Sequence, residues 1–233
     1  MLKEIAIGMI LSDACMYKVS NHALIKFEQG YLQEEFLLHL FENFKLYCFM
    51  IEPGKRITLK GPRKGLTKSF WFKTFSHYSF TNIWELFYNQ PCFSKDNPSQ
   101  ISTSPASQLP TQLLGGGALG GKVCKNKNRY GKLIKEGLIK NHLTARGLAY
   151  WIMGDGSLQK DKKTMILHTQ SYTEAENLNL SKELNEKFGF TSKIIPHKNK
   201  YWVIKFNSQN AALLHKLISP YIVSSMRYKI PTI

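Results

Sequence analysis

The sequence predicts an α+β protein of two pseudo-symmetric αββαββα halves, packed against each other through a pair of apolar helices. Three observations carry this expectation. A short apolar stretch around a single carboxylate occurs twice, as Ala6-Ile7-Gly8-Met9-Ile10-Leu11-Ser12-Asp13-Ala14 and as Leu148-Ala149-Tyr150-Trp151-Ile152-Met153-Gly154-Asp155-Gly156. The two acids stand 142 residues apart and strand-like sequence follows each, as expected of a duplicated unit. Between the copies, Pro91, Pro98, Pro105 and Pro110 lie among serines, followed by Gly115-Gly116-Gly117 and Gly120-Gly121. That composition cannot build a packed core and reads as an inserted linker or exposed loop. The expected division is a first half over 1–88, an insert over 89–140 and a second half over 141–233.

In each copy a small residue precedes the acid (Ser12, Gly154) and another follows it (Ala14, Gly156). If the two helices lie side by side, small residues let their backbones approach closely, and Asp13 and Asp155 meet at the bottom of the interface. Carboxylates held that close repel unless a cation lies between them.

The remaining elements follow from turns and periodicity. Cys15 to Phe27 reads as a two-strand hairpin turning at Ser20-Asn21 and closed by Gly30. From Leu32 to Phe44, Phe36, Leu37, Leu40, Phe41 and Phe44 recur at helical spacing on one core-facing stripe. After the Pro53-Gly54 turn, seven basic residues and no acid lie between Lys55 and Lys73. Arg56, Thr58 and Lys60 alternate with Ile57 and Leu59, which predicts a strand with one basic and one apolar face. Gly61 to Gly65 is a turn, and Lys68 to Phe75 returns as the partner strand. A merely solvated face usually mixes both signs of charge, so this one points to contact with phosphates. Phe80 to Tyr88 reads as the helix that closes the half.

Lys122 to Lys140 is basic, with Glu136 its only acid, and reads equally as an arm along a polyanion or a solvated connector. Thr144 is a suitable cap for the second apolar helix, Ala145 to Met153. A turn at Asp161-Lys162 leads into a strand over Thr164 to Ser171. Thr173-Glu174-Ala175-Glu176 has the form of a capping box, opening a helix with Leu178, Leu180, Leu184 and Phe188 as apolar positions. Lys193 to His197 and Tyr201 to Phe206 form a hairpin with Asn199-Lys200 at its tip, and Ala211 to Ile218 is the last helix.

At 233 residues the chain can bury one sizeable core or two small ones. With 32 Lys and Arg against 16 Asp and Glu, its formal charge of +16 favours a polyanionic partner, either nucleic acid or an acidic membrane surface. No apolar run is long enough to span a bilayer, and the N-terminal residues do not form a signal-peptide pattern. Cys15, Cys48, Cys92 and Cys124 include no CxxC pair, and no two histidines have zinc-ligand spacing. Reduced thiols in an intracellular compartment are expected.

Two apolar helices that each end in one acid, with this spacing and these following strands, resemble the LAGLIDADG homing endonucleases in the form with two motifs on one chain. The second copy keeps Leu148, Ala149, Ile152, Asp155 and Gly156 of the signature, whereas the first keeps Gly8, Ile10 and Asp13 and has Ala14 for the final glycine. The resemblance covers nearly the whole chain outside 89–129. It implies a monomer with an internal pseudo-two-fold, whose two antiparallel sheets form a DNA-binding saddle over a long, asymmetric double-stranded site. It further implies cleavage of both strands across the minor groove, leaving short 3′ overhangs.

By the same resemblance Asp13 and Asp155, with the following residues Ala14 and Gly156, hold Mg²⁺, for which Mn²⁺ can substitute. Glu28 and His168 fall where the family places polar residues that hold solvent near the metal. Lys229, in Tyr228-Lys229-Ile230-Pro231, matches a basic residue that approaches the site, with Lys132 as its counterpart in the first half; Lys135 replaces the proline expected nearby. DNA contacts are expected from Arg56, Thr58, Lys60, Arg63, Lys68 and Lys73, and from Lys163, Gln170, Lys193, Lys198 and Lys205. The resemblance also implies an intron-encoded origin in an organelle genome, first of all a mitochondrion.

Two other readings use the same charge. An RNA maturase would bind the group I intron that encodes it, with or without DNA cleavage. A non-catalytic DNA-binding protein would need no acids, and Asp13 and Asp155 argue against it, because paired acids are costly to bury without a cation.

Overall fold

The structure is a computed structural model that describes residues 1–88, 131–198 and 200–233. The Pro/Ser/Gly-rich stretch, the first part of the basic connector, Cys92, Cys124 and Asn199 lie outside the described residues.

The first apolar run forms α1 (Leu2–Leu11), in which every residue from Ile5 to Leu11 is buried. A helix buried all round belongs at the centre of a molecule rather than on its surface. Its counterpart α5 (Ala145–Asp155) is capped by Thr144, whose hydroxyl accepts the Gly147 amide, and is buried from Gly147 to Met153. The two helices pack along each other, and each leads into a four-stranded antiparallel sheet.

The first sheet contains β1 (Cys15–Val19), β2 (His22–Gly30), β3 (Gly54–Ile57) and β4 (Thr67–Lys73) in the order β1-β2-β4-β3. The second contains β5 (Gly156–Leu158), β6 (Met165–Leu167), β7 (Lys193–His197) and β8 (Tyr201–Phe206) in the order β5-β6-β8-β7. The identical order confirms the duplication. Helices α2 (Glu34–Phe44) and α3 (Tyr78–Phe87) complete the first half, and α6 (Glu174–Phe188) and α7 (Ala211–Ile218) the second. Alternation puts Phe27, Phe70 and Phe72 on the covered side of the first sheet, with the Phe27 and Phe72 rings stacked 4.6 Å apart.

The first hairpin turns at Ser20, which takes the left-handed conformation at φ 55°. The capping box of α6 is present in both directions, Thr173 to Glu176 and back. In α2 the expected stripe of Phe36, Leu37, Leu40, Phe41 and Phe44 is buried.

Three local expectations are corrected. The strand expected to run through Lys60 ends at Ile57 after a bulge, and Ile57 and Leu59 face solvent, Leu59 being 80% exposed. Residues 58–66 instead form a loop closed by bonds between the backbones of Thr58, Gly65 and Leu66. Arg56 is paired with Ser69 across β3 and β4, so Lys68, one of the expected DNA contacts, lies on the side of β4 that carries Phe70 and Phe72. The strand expected over Thr164 to Ser171 spans only Met165–Leu167. Along α6, Leu178 is exposed and Asn177, Ser181 and Glu183 are buried with Leu180 and Leu184.

Glu183 explains part of that rotation of α6. A short helix, α4 (Leu138–His142), precedes α5, and the Glu183 carboxylate accepts the amides of Gly137, Ile139 and Lys140 at its start. Those are donors that a helix N-terminus leaves without an internal partner. The last part of the basic connector is therefore docked on the second half.

Candidate active site

The α1–α5 seam depends on residues without bulk. A Cβ at Gly8 would collide with the Gly147 carbonyl and lie 3.1 Å from the Trp151 amide nitrogen. A Cβ at Gly147 would lie 3.1 Å from the Glu4 carbonyl oxygen, and one at Gly154 would lie 2.7 Å from Ser12 Cβ and 3.7 Å from Asp13 Oδ2. The Asp13 carboxylate thus sits against the opposite helix one residue before Asp155, and the two acids converge at one end of the seam. The Gln29 amide donates to Asp13 Oδ2 at 3.2 Å. Gln29 is the polar residue on the buried alternation of β2, next to Phe27, and that misplaced polarity was the available signal for it.

Helix C-termini present carbonyls without internal donors and carry partial negative charge. Here two lysines meet that need. Lys132 Nζ donates to the carbonyls of Ile10 (2.5 Å) and Ser12 (3.3 Å) at the end of α1. Lys229 Nζ donates to those of Met153 (2.5 Å), Gly154 (3.3 Å) and Ile152 (3.5 Å) at the end of α5. Lys229 is buried, and burial lowers its pKa to about 8 against the opposing attraction of Asp155. The two lysines therefore occupy equivalent places beside the two acids, with their ammonium groups turned onto the backbone that carries them. Lys135, where a proline was expected, reaches the Glu85 carbonyl at 2.6 Å.

Glu28 lies on β2 of the first sheet, and His168 directly follows the end of β6 in the second. Burial raises the Glu28 pKa, but hydrogen bonds from Lys26 (2.6 Å) and Ser69 (2.7 Å) and the charges of Lys26 and Arg56 outweigh it, so the net shift is downward. Arg56 Nε lies 3.2 Å from the same carboxylate. The His168 ring is held between Ser157 Oγ (2.8 Å from Nε2) and the Gln170 amide (3.1 Å from Nδ1). With Gln170 donating, Nδ1 is the acceptor and Nε2 carries the proton. Burial, then His197 and Lys229, lower its pKa and favour this neutral form. Ser69, Ser157 and Gln170 thus hold the two polar groups in place.

The other expected DNA contacts are spread over the solvent faces and turns. Lys73 lies directly opposite Lys26, and Lys193 directly opposite Lys205. Like charges so placed destabilise a sheet; in the first sheet the Lys26 ammonium is paired with Glu28 at 2.6 Å, so the cationic pair that folding alone does not favour is Lys193–Lys205 in the second. Thr58 and Lys60 belong to the loop beyond β3, where Arg63 stacks on Tyr31, 3.9 Å from the ring centre. Lys163 and Lys198 sit in turns, Lys198 with φ 52°.

Two halves of equal strand order, joined through helices that each deliver one acid to a common end, define the class, and comparison with known proteins gives the family. The chain matches the LAGLIDADG DNA endonuclease family over residues 3–102 and 121–214 and belongs to it. A protein of Mycosarcoma maydis named probable intron-encoded DNA endonuclease 3 is 44% identical over 167 residues, 72% of this chain and 96% of that one. The cytochrome b mRNA maturase bI2 of Saccharomyces cerevisiae is 34% identical over 101 residues, 42% of this chain and 23% of that one. Among solved structures, the homing endonuclease I-WcaI bound to its DNA recognition sequence superposes with a TM-score of 0.73 at 25% identity, covering 98% of this chain and 85% of that one.

Proposed function

We propose that the chain is an intron-encoded, site-specific endonuclease that cuts both strands of a long, asymmetric double-stranded DNA site and so promotes mobility of its intron. The observation that carries this reading is the convergence of Asp13 and Asp155 at the end of a glycine-lined helix pair, flanked by two sheets with opposed cationic pairs. The chain acts as a monomer, because both acids and both sheets come from one polypeptide. Its compartment is the organelle that carries the intron, a mitochondrion in the first instance.

No three His, Cys, Asp or Glu side chains gather among the described residues, so two carboxylates are the anionic donors of this site. Hard oxygens of this kind fit Mg²⁺, with Mn²⁺ as a substitute, and Ala14 and Gly156 can add only backbone carbonyls. A bound divalent ion supplies a water nucleophile at neutral pH and stabilises charge on the phosphate. Gln29 orients the Asp13 carboxylate, Glu28 and His168 order solvent from either side, and Lys132 and Lys229 hold both acid-bearing helix ends in register. Arg56, Lys73, Lys193 and Lys205 contact phosphates, and the strands read base edges in the major groove. Cleavage across the minor groove then leaves short 3′ overhangs.

The test is Mg²⁺-dependent cleavage of the intron-less allele of the host gene. Asp155→Asn is expected to lose cutting by about 10²-fold or more while retaining DNA affinity. Equal cutting by both proteins would remove Asp155 from the reaction. A second reading, a maturase that binds its group I intron RNA, is favoured by the likeness to the yeast maturase. It takes precedence if the wild type binds the precursor RNA tightly and cuts no DNA.

A further inference from the structure

The backbone around Asp13 is held by more than Lys132. The Tyr172 hydroxyl donates to the Leu11 carbonyl at 2.7 Å, two residues before Asp13. The Tyr88 hydroxyl accepts the Met16 amide at 3.0 Å, three residues after it. Tyr88 closes α3 in the first half, whereas Tyr172 belongs to the second half, just before α6. Both tyrosines are buried, and Tyr172 is held strongly in its neutral form by burial first and then by the charge of Asp155. It is therefore a permanent donor lying within the field of one acid and bonded to the helix end that presents the other. On the Asp155 side, Lys229 serves three successive carbonyls, and the Asp155 carbonyl accepts the His168 amide at 3.0 Å. Thus, where Lys229 serves Leu11's counterpart Met153 directly, the end of α1 takes a neutral donor from the opposite half.

We infer that Tyr172 is a positioning residue for cleavage, its hydroxyl fixing the end of α1 so that Asp13 is set by the half that carries Asp155. This deepens the endonuclease reading and rests on it. The site is pseudo-symmetric in its acids but not in their supports, so loss of this hydroxyl acts unequally on the two DNA strands. The side chain touches neither acid-bearing residue's carboxylate as a proton donor in the reaction; it acts through the Leu11 carbonyl.

The experiment uses the full chain, Mg²⁺ and a duplex target with each strand labelled at one end, and compares wild type with Tyr172→Phe. The ring is kept and one hydroxyl is removed, which leaves the Leu11 carbonyl buried without that donor. The ratio of the two strand-cleavage rates is expected to move by about fivefold to tenfold, with DNA affinity unchanged. Tyr88→Phe loosens the other side of the same stretch and is expected to shift the ratio in the same direction, which provides a second reading if Tyr172→Phe folds poorly. An unchanged ratio, or equal slowing of both strands together with a lower melting temperature, overturns the inference and leaves a structural hydrogen bond. A wild type that cuts neither strand removes the endonuclease reading, and the positioning role with it.

Discussion

Glu28 carries its charge against its burial because Lys26, Ser69 and Arg56 surround the carboxylate. Its folded pKa lies below the ordinary value of 4.5, so between the two values the unfolded chain binds the extra proton. The contribution to stability is complete above 4.5 and is lost as pH falls through the folded value. Glu28→Gln is therefore expected to be less stable than wild type at about pH 7, with the difference shrinking toward about pH 3. Urea unfolding at both values checks this, and a difference independent of pH would show that the residue acts by shape alone. The family resemblance marked Glu28, after Phe27, and His168, after Leu167, as polar residues near the site. It carried no sign of Tyr172, whose value depends on meeting the Leu11 carbonyl 161 residues away.

At the scale of elements, the helix pair is the feature on which the site depends. The Cβ that Gly8→Ala introduces has backbone in its way and no flexible side chain that can yield. Overpacking of this kind costs about 3 kcal/mol, and here it also separates the acids. Gly30→Ala is the matched control, since nothing lies within 4 Å of that Cβ and its φ of −61° suits any residue. Thermal and urea unfolding are expected to show a large loss for the first and a change within about 0.5 kcal/mol for the second. Equal effects would mean that the seam tolerates separation. Helices and hairpins with local signals, such as the Thr173 capping box and the Ser20 turn, were readable directly. The end of β3 was not, because alternation through Leu59 is the same in a strand and in a loop; after the bulge at Arg56–Ile57 the backbone of Thr58 bonds to Gly65 and Leu66, which closes a loop instead of extending β4.

For the whole molecule, a formal charge of +16 is spread so that each sheet opposes lysine to lysine. A phosphate between Lys193 and Lys205 is expected to relieve the repulsion of that pair. Neutralising Lys193 and Lys205 together as glutamines is expected to lower the slope of log affinity against log salt by about 2 in DNA binding. The free protein is expected to become slightly more stable, because a like-charged cross-strand pair is removed. An unchanged salt slope would place the DNA elsewhere on the surface.

The duplicated acid-bearing helix, the two-half α+β architecture, the basic character and the two central acids were determined by the sequence itself, because apolar periodicity, turn residues and repeats are local or self-similar properties. The tertiary structure decided which groups meet. Lys132 and Lys229 were recognisable as basic residues near the site, but only packing turned them onto the carbonyls that end α1 and α5. Packing likewise rotated α6 to bury Glu183 against the amides of α4 and brought Tyr172 across to the opposite half. Unpaired backbone groups at a helix end are invisible in a sequence as to who will serve them. Their donors come from wherever the fold brings a long polar side chain within hydrogen-bond reach.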